Sequence, residues 1–210
     1  MNITQSLRSS WPIAALLLLT SLLSGCGINN IPTLDEQVKA DWGQVQNQYQ
    51  RRADLIPNLV STVKGYAAHE ASVLTQVTEA RAKVGSTTLN ADQLDDPEAV
   101  KRFQQAQGQL SSALSRLLVV SENYPQLKAD GLFKDLLTQL EGTENRITVA
   151  RGRYVKAVQE YNVMIRQFPQ VITAKIFGYK PKANFSVENE AAISTAPKVD
   201  FGNAPAQPAQ

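Results

Sequence analysis

The chain has 210 residues, of which 43% are hydrophobic and 19% charged, and its formal net charge is +2. This length suits one domain with tails, and the near-neutral charge argues against nucleic acid as a partner, because nucleic-acid binding requires clustered positive charge. The single cysteine and single histidine exclude an internal disulfide, a paired-cysteine redox motif and any metal site that needs two histidines.

The N-terminal segment has the pattern of a lipoprotein signal peptide. One positive charge precedes an apolar run of 13 residues from Trp11 to Leu23. This run is shorter than the ~20 residues of a membrane-spanning helix, but it fits a signal-peptide core. It ends in Leu23-Ser24-Gly25-Cys26, which resembles the bacterial lipobox, where the cysteine thiol receives a diacylglycerol. We predict a signal peptide over residues 1–25 and lipidation of Cys26, with an unmodified buried cysteine as the alternative.

The predicted lipid would make the membrane a partner of the chain. Two or more acyl chains give stable anchoring. The residue after Cys26 is Gly27, and not the aspartate that resembles an inner-membrane retention signal. We therefore expect a lipid-anchored protein (carrying palmitate or a similar acyl chain) at the outer membrane, facing the periplasm, and the inner membrane is the alternative.

Two interleaved apolar series predict a long first helix over residues 34–84. One series starts at Val38 and the other at Trp42, and each advances by seven residues, so that spacings of four and three alternate between them. This pattern is typical of a helix with a narrow apolar seam. Pro57 lies inside the stretch, and the seam keeps its phase on both sides of it. We interpret Pro57 as a kink in a continuous helix.

Further helices follow a turn-rich loop. Pro97 suits the first position of a second long helix behind an aspartate cap, and Pro125 is expected to end that helix. A third long helix is predicted over residues 132–168, before Pro169. The stretch "VITAKIFGY" indicates a short fourth helix.

The chain is thereby divided into four parts, and its fold class is all-α. The bundle is antiparallel, with three long helices and a short C-terminal helix. The tail is rich in Pro, Asn and Ala and is predicted to be extended to disordered. The four parts are the signal peptide (1–25), a tether (26–33), the helical bundle (34–180) and the tail (181–210).

Three stretches resemble the LemA family of bacterial envelope proteins. They are "RRADLIPNLVSTVKGYAAHE" (51–70), "ENRITVARGRYVKAVQEYNVMIRQFP" (144–169) and "PKVDF" (197–201). The resemblance implies a LemA-like four-helix bundle outside the cytoplasm, tethered at its N-terminus. Many members of the family use a transmembrane helix as the tether, so the lipobox is a departure from the family pattern. The resemblance implies no catalytic residues.

Four charged residues occupy seam positions: Arg52 and Glu70 on the predicted first helix, Glu144 and Arg151 on the third. Burying a charge is costly unless it is paired and hydrogen-bonded. We therefore predict a buried charge network in which Arg52 pairs with Glu144, or Glu70 with Arg151, and fixes the register of the bundle. A polar pocket for a ligand or partner is the alternative, and acid–base chemistry by the two glutamates is a further one.

These features predict an envelope protein whose anchored bundle is an interaction or scaffold module for another protein, of unknown identity. No nucleophile, metal cluster or phosphate loop accompanies the seam carboxylates. We therefore expect a non-enzyme without catalytic residues, metal or cofactor. The alternatives are a bundle that binds a small molecule or lipid, and an envelope hydrolase that uses the seam carboxylates.

Overall fold

The computed structural model describes residues 29–185, and their regular structure is entirely helical. This confirms the all-α prediction. Residues 1–28, including the predicted lipidation site Cys26, and the "PKVDF" motif lie outside the described residues. A 3-10 turn at Ala91–Gln93 precedes the third helix. The α-helices are α1 (Asn30–Tyr66), α2 (Ala71–Ser86), α3 (Pro97–Ser121), α4 (Pro125–Ala129), α5 (Gly131–Met164) and α6 (Gln170–Phe177).

The bundle is formed by α1, α2, α3 and α5. Helix α5 is antiparallel to α1: the rings of Trp42 and Tyr154 lie 5.4 Å apart near one end. Near the other end, Tyr66 donates a hydrogen bond to Asp130 at 2.8 Å. Helices α2 and α3 pack against each other and complete the four-helix arrangement.

The prediction of one helix over residues 34–84 is wrong, because the chain turns at 67–70 and continues as α2. Ala67 leaves helical geometry, with φ −128° and ψ 50°, and its N–H still bonds to the carbonyl of Val63 at 2.8 Å. The predicted series keeps its phase across the break because four residues are close to one helical turn. The three predicted long helices are therefore four helices.

Pro57 lies inside α1, which continues through it to Tyr66. A proline has no N–H, so the carbonyl of Ala53, four residues earlier, loses its partner within the helix. Arg81 of α2 donates its Nε to that carbonyl at 2.9 Å. The gap in the hydrogen bonds of α1 thereby becomes a contact point for α2. The bend expected at Pro57 stays a prediction.

Other boundaries shift by a few residues. Helix α1 begins at Asn30, so the last residues of the predicted tether are helical. Helix α3 ends at Ser121, and Pro125 starts the short α4 instead of ending the preceding helix. Helix α5 ends at Met164, before the predicted end at Phe168. Proline suits the first turn of a helix because the N–H it lacks has no partner there.

Two apolar clusters form the core, one at each end of the bundle. The cluster at the end where α1 begins contains Trp42, packed against Phe103 with the ring centroids 5.2 Å apart. The cluster at the other end is mainly aliphatic and includes Leu59 and Leu110. On α1, the buried Arg52 lies between the two clusters. A polar layer therefore divides the core.

Candidate functional site

Arg52 is the centre of this polar layer and is only 2% exposed. Its Nη1 donates to Glu144 Oε2 at 3.0 Å and to Ser111 Oγ at 3.0 Å. Its Nη2 donates to Gln107 Oε1 at 2.6 Å. The guanidinium also lies 5.1 Å from the ring centroid of Tyr49, close enough for a cation–π contact. The layer thus joins α1, α3 and α5.

The ion pair between Arg52 and Glu144 is asymmetric. The arginine side chain is buried, whereas the side chain of Glu144 is 57% exposed. The Nε atom of Arg52 is buried without a hydrogen-bond partner among the described residues. Since a solvated carboxylate is a weak ion-pair partner, the layer holds a buried positive charge whose countercharge lies at the surface.

A cleft of about 230 Å³ opens beside the polar layer, between α1, α3 and α5. Its α3 wall includes the small residues Gly108, Ser112 and Ser115, which leave space that larger side chains would fill. A second arginine, Arg151, also lines the cleft. Two guanidinium groups with neighbouring hydroxyls suit the recognition of a carboxylate.

Glu70 and Arg151 do not form the predicted pair. Glu70 lies in the turn before α2 and accepts a hydrogen bond from Tyr124 Oη at 3.0 Å, which raises the pKa of that phenol. Arg151 lies at the cleft, with its guanidinium 4.6 Å from the ring centroid of Phe185. The prediction of a Glu70–Arg151 pair is therefore wrong.

The two seam carboxylates also lie apart. Glu144 contacts Arg52, and about 21 Å of helix, at 1.5 Å per residue, separates Arg52 from the end of α1, where Tyr66 precedes the turn that carries Glu70. Acid–base chemistry by a glutamate pair needs both groups at one reacting bond. This geometry does not provide it.

Gln107 and Ser111 were missed at the sequence level. The apolar series of α3 passes from Phe103 to Leu110, and the helical position between them is taken by Gln107. Both Gln107 and the adjacent-turn Gln104 are buried. The signal was therefore a polar residue at a seam position, opposite an arginine at a seam position of another helix.

A second polar region lies where α1 begins. There the extended residues 180–185, which we name the C-terminal strap, follow α6 and lie along α5. Asn162 exchanges two hydrogen bonds with the backbone of Lys182, each 2.8 Å long. Tyr154 donates to the carbonyl of Ala183 at 2.9 Å, and burial raises the pKa of its phenol. The strap is thus held by polar side chains of α5.

The strap is also joined to α1 by an ion pair. Lys182 Nζ lies 3.1 Å from Asp35, and both side chains are largely buried. Burial raises the pKa of Asp35, but hydrogen bonds and charge from Lys39 and Lys182 outweigh that effect and hold the pKa below its usual value. This carboxylate therefore stays ionised and ties the strap to the start of the bundle.

Two further features bear on the class of protein. Within residues 29–185, every helix is too short or too polar to span a bilayer. In the same part of the chain, the His, Cys, Asp and Glu side chains form no group of three or more that could hold a metal ion.

The fold agrees with the family that the sequence resembles. The sequence model of the LemA family matches residues 41–201. This match covers most of the chain and includes the polar layer and the strap, so the chain belongs to the LemA family.

Three relatives that align with most of this chain are magnetosome proteins. Magnetosome proteins MamQ 1 and MamQ 2 of Paramagnetospirillum magneticum are each 28% identical over 179 residues, covering 78% of this chain and 65% of the relative. Magnetosome protein MamQ of Magnetospirillum gryphiswaldense is 29% identical over 168 residues, covering 72% and 62%. The chain thus spans less than two thirds of these relatives.

Proposed function

We propose that this chain is a lipid-anchored protein of the bacterial cell envelope whose bundle binds an acidic segment of a partner protein in the cleft beside Arg52. One observation carries the proposal: Arg52 is 2% exposed, whereas the carboxylate that neutralises it, on Glu144, is 57% exposed at the cleft. A partner carboxylate that displaces Glu144 finds a positive charge already positioned by α1 and α3. Such preorganisation lowers the cost of binding.

The chemistry of the cleft supports a side chain of a partner over a free ligand. Its volume of about 230 Å³ lies below the ~300 Å³ at which small-molecule pockets begin. Arg151 at the lining offers a bidentate contact to a carboxylate. Ser112 and Ser115 are exposed at the same wall and offer hydroxyl groups to a backbone that lies across the opening.

The location is part of the proposal. In it, Cys26 of the lipobox carries the lipid, and the bundle faces the periplasm from the outer membrane. Palmitate labelling tests the anchor: the label is expected in the wild-type chain, and its continued incorporation into Cys26→Ala would refute lipidation at this site.

Site-specific photocrosslinking in cells tests the cleft. A benzoyl-phenylalanine at Ser112 is expected to form an adduct with a distinct protein. The matched control is the same group at Gln109, which is exposed on the same helix but does not line the cleft. No adduct at residue 112, or the same adducts at both positions, would count against binding in the cleft.

Two charge variants test whether the partner recognises the cleft or only lies near it. Arg151→Gln is expected to abolish the adduct at position 112, because a partner carboxylate loses one of its two guanidinium groups. Arg153→Gln removes an exposed charge from the same helix outside this cleft and serves as the control. Equal adduct yields in both variants would show that the partner does not read the cleft charge.

A further inference from the structure

Helix α6 carries an apolar face that no other described helix covers. Four large exposed side chains, on α6 and in the turn before it, form an apolar surface that we name the α6 patch, and their exposures range from 52% to 80%. Ile172 and Ile176 lie four residues apart on α6 and therefore share a helix face, and Phe168 lies in the turn that precedes the helix. The patch consists of Phe168, Ile172, Ile176 and Phe177.

The α6 patch lies at the end of the bundle where α1 begins. Ile165, three residues before the patch, belongs to the same core cluster as Ile31 in the first turn of α1. After α6, Lys182 pairs with Asp35, also near the start of α1. Helix α6 is therefore fixed on both sides to this end of the bundle.

The same end lies next to the proposed lipid. Cys26 precedes Asn30, the first residue of α1, by four positions. A fully extended chain of four residues spans at most about 14 Å. If Cys26 is lipidated, the start of α1, and α6 beside it, must lie close to the bilayer surface.

The charge around the patch suits an anionic surface. Residues 164–182 contain four basic side chains and no Asp or Glu. Two of the basic side chains, Lys180 and Lys182, pair with acidic residues of other elements. The other two, Arg166 and Lys175, are exposed and have no ion pair within residues 29–185. Such side chains favour anionic headgroups.

We propose that the α6 patch inserts into the surface of an anionic bilayer and forms a second membrane contact beside the lipid anchor. The inference rests on the anchor proposed at Cys26. Large exposed apolar patches mark interaction surfaces, and an apolar helix face flanked by basic residues binds in the headgroup region. The contact fixes the direction of the bundle, which a flexible acyl anchor alone leaves free.

Tryptophan placed in the patch tests the insertion. The mature lipidated chain with Ile176→Trp is added to vesicles of phosphatidylethanolamine and phosphatidylglycerol with brominated acyl chains. The matched control is Leu132→Trp, an exposed position at the start of α5, at the opposite end of the bundle. The buried Trp42 contributes equally in both chains. Flotation of the wild type and of Cys26→Ala with the vesicles is measured in parallel.

The expected result is that Cys26→Ala floats less than the wild type, and that only the tryptophan at 176 shifts to shorter wavelength and loses most of its emission to bromine. Flotation without quenching at 176, or equal quenching at 176 and 132, overturns the patch proposal while the anchor stands. If neither the wild type nor Cys26→Ala floats with the vesicles, the proposed anchor is refuted, and the patch proposal falls with it.

Other occupants of the patch give different results. A blue-shifted emission at 176 without vesicles that increases with protein concentration identifies a second copy of the chain as the occupant. The same shift without concentration dependence identifies another part of this chain. Either result, when vesicles and bromine add nothing to it, overturns insertion into the bilayer.

Discussion

Replacement of Arg52 by methionine tests the account of the polar layer. Methionine keeps the length and apolar body of the side chain but removes the charge and the donors. Ser111 and Glu144 are at least partly exposed and regain partners from water. Gln107 is 5% exposed and loses the 2.6 Å hydrogen bond to its side-chain oxygen. The cost of Arg52→Met therefore comes mainly from one buried amide.

The magnitude follows from that amide. A buried acceptor left without a partner costs about 1–3 kcal/mol. The lost ion pair with the half-exposed Glu144 adds at most about 1 kcal/mol, and relief of the desolvation of the buried guanidinium offsets it. We therefore expect Arg52→Met to lower the free energy of unfolding by about 1–3 kcal/mol.

The double variant Arg52→Met, Gln107→Leu sharpens the prediction. Replacing both partners of a buried hydrogen bond by apolar groups of similar shape is nearly neutral, so the second change is expected to restore most of the stability. Equilibrium urea unfolding, followed by the helical circular dichroism signal, measures the differences. Arg51→Met, at the exposed neighbouring position, is the control and should lie within about 0.5 kcal/mol of wild type.

Two results would refute this reasoning. One is an Arg52→Met chain as stable as the Arg51→Met control. The other is a double variant less stable than Arg52→Met alone, which would mean that Gln107 stabilises the bundle through contacts other than its bond to Arg52.

Three further predictions concern other contacts. Arg81→Ala should cost about 1–3 kcal/mol in the wild type but clearly less in a Pro57→Ala background, where residue 57 regains the N–H that bonds the Ala53 carbonyl; equal costs in a urea double-mutant cycle would contradict this. The lowered pKa of Asp35 means that the unfolded chain binds the proton more readily than the folded chain. This carboxylate therefore stabilises the fold at pH values above its usual pKa of 3.8, and the stabilisation is lost as the pH falls through its lower folded pKa. The acid side of the profile of Tm against pH should flatten in Asp35→Asn, and an unchanged profile would refute the assignment. Asn162→Ala removes two hydrogen bonds to the strap and should cost about 1–3 kcal/mol and speed amide exchange of the strap, whereas unchanged exchange would mean that other contacts hold it.

Apolar spacing predicted which residues of the first helix face the core. Val38 and Trp42, which begin the two apolar series predicted for the first helix, are buried in the structure. The start of α3 was also readable, because the Asp96 side chain accepts from Glu98 N at 2.9 Å and Pro97 takes the first position of the helix. Both signals are local, and neither depends on how helices are connected.

The reversal between α1 and α2 left no such signal. The turn residue Glu70 makes no side-chain cap bond to the start of α2, so the sequence lacks the capping pattern that marks a helix start. The four-residue turn also keeps the apolar series in phase. A one-dimensional pattern therefore could not distinguish a continuous helix from two antiparallel ones.

The wrong prediction of a continuous helix across the α1–α2 turn also made the predicted Glu70–Arg151 pair wrong. The structure brings Arg52 and Glu144 together at 3.0 Å. Both residues lie in the interior of helices that were predicted as helices, away from the turn that was not predicted. Glu70 was assigned a place inside a long helix, opposite Arg151. In the turn it instead reaches Tyr124, just after α3. Side chains near a reversal acquire partners that helical spacing cannot predict.

The direction of the C-terminal strap has a mechanical consequence. It enters beside Asp35, near the start of α1, and leaves at Phe185, whose ring lies 6.0 Å from that of Trp42, two helical turns further along α1. Tension on the chain beyond Phe185, directed away from the start of α1, pulls along the strap. The bonds from Asn162 and Tyr154 are then loaded together in shear, and not peeled one after another.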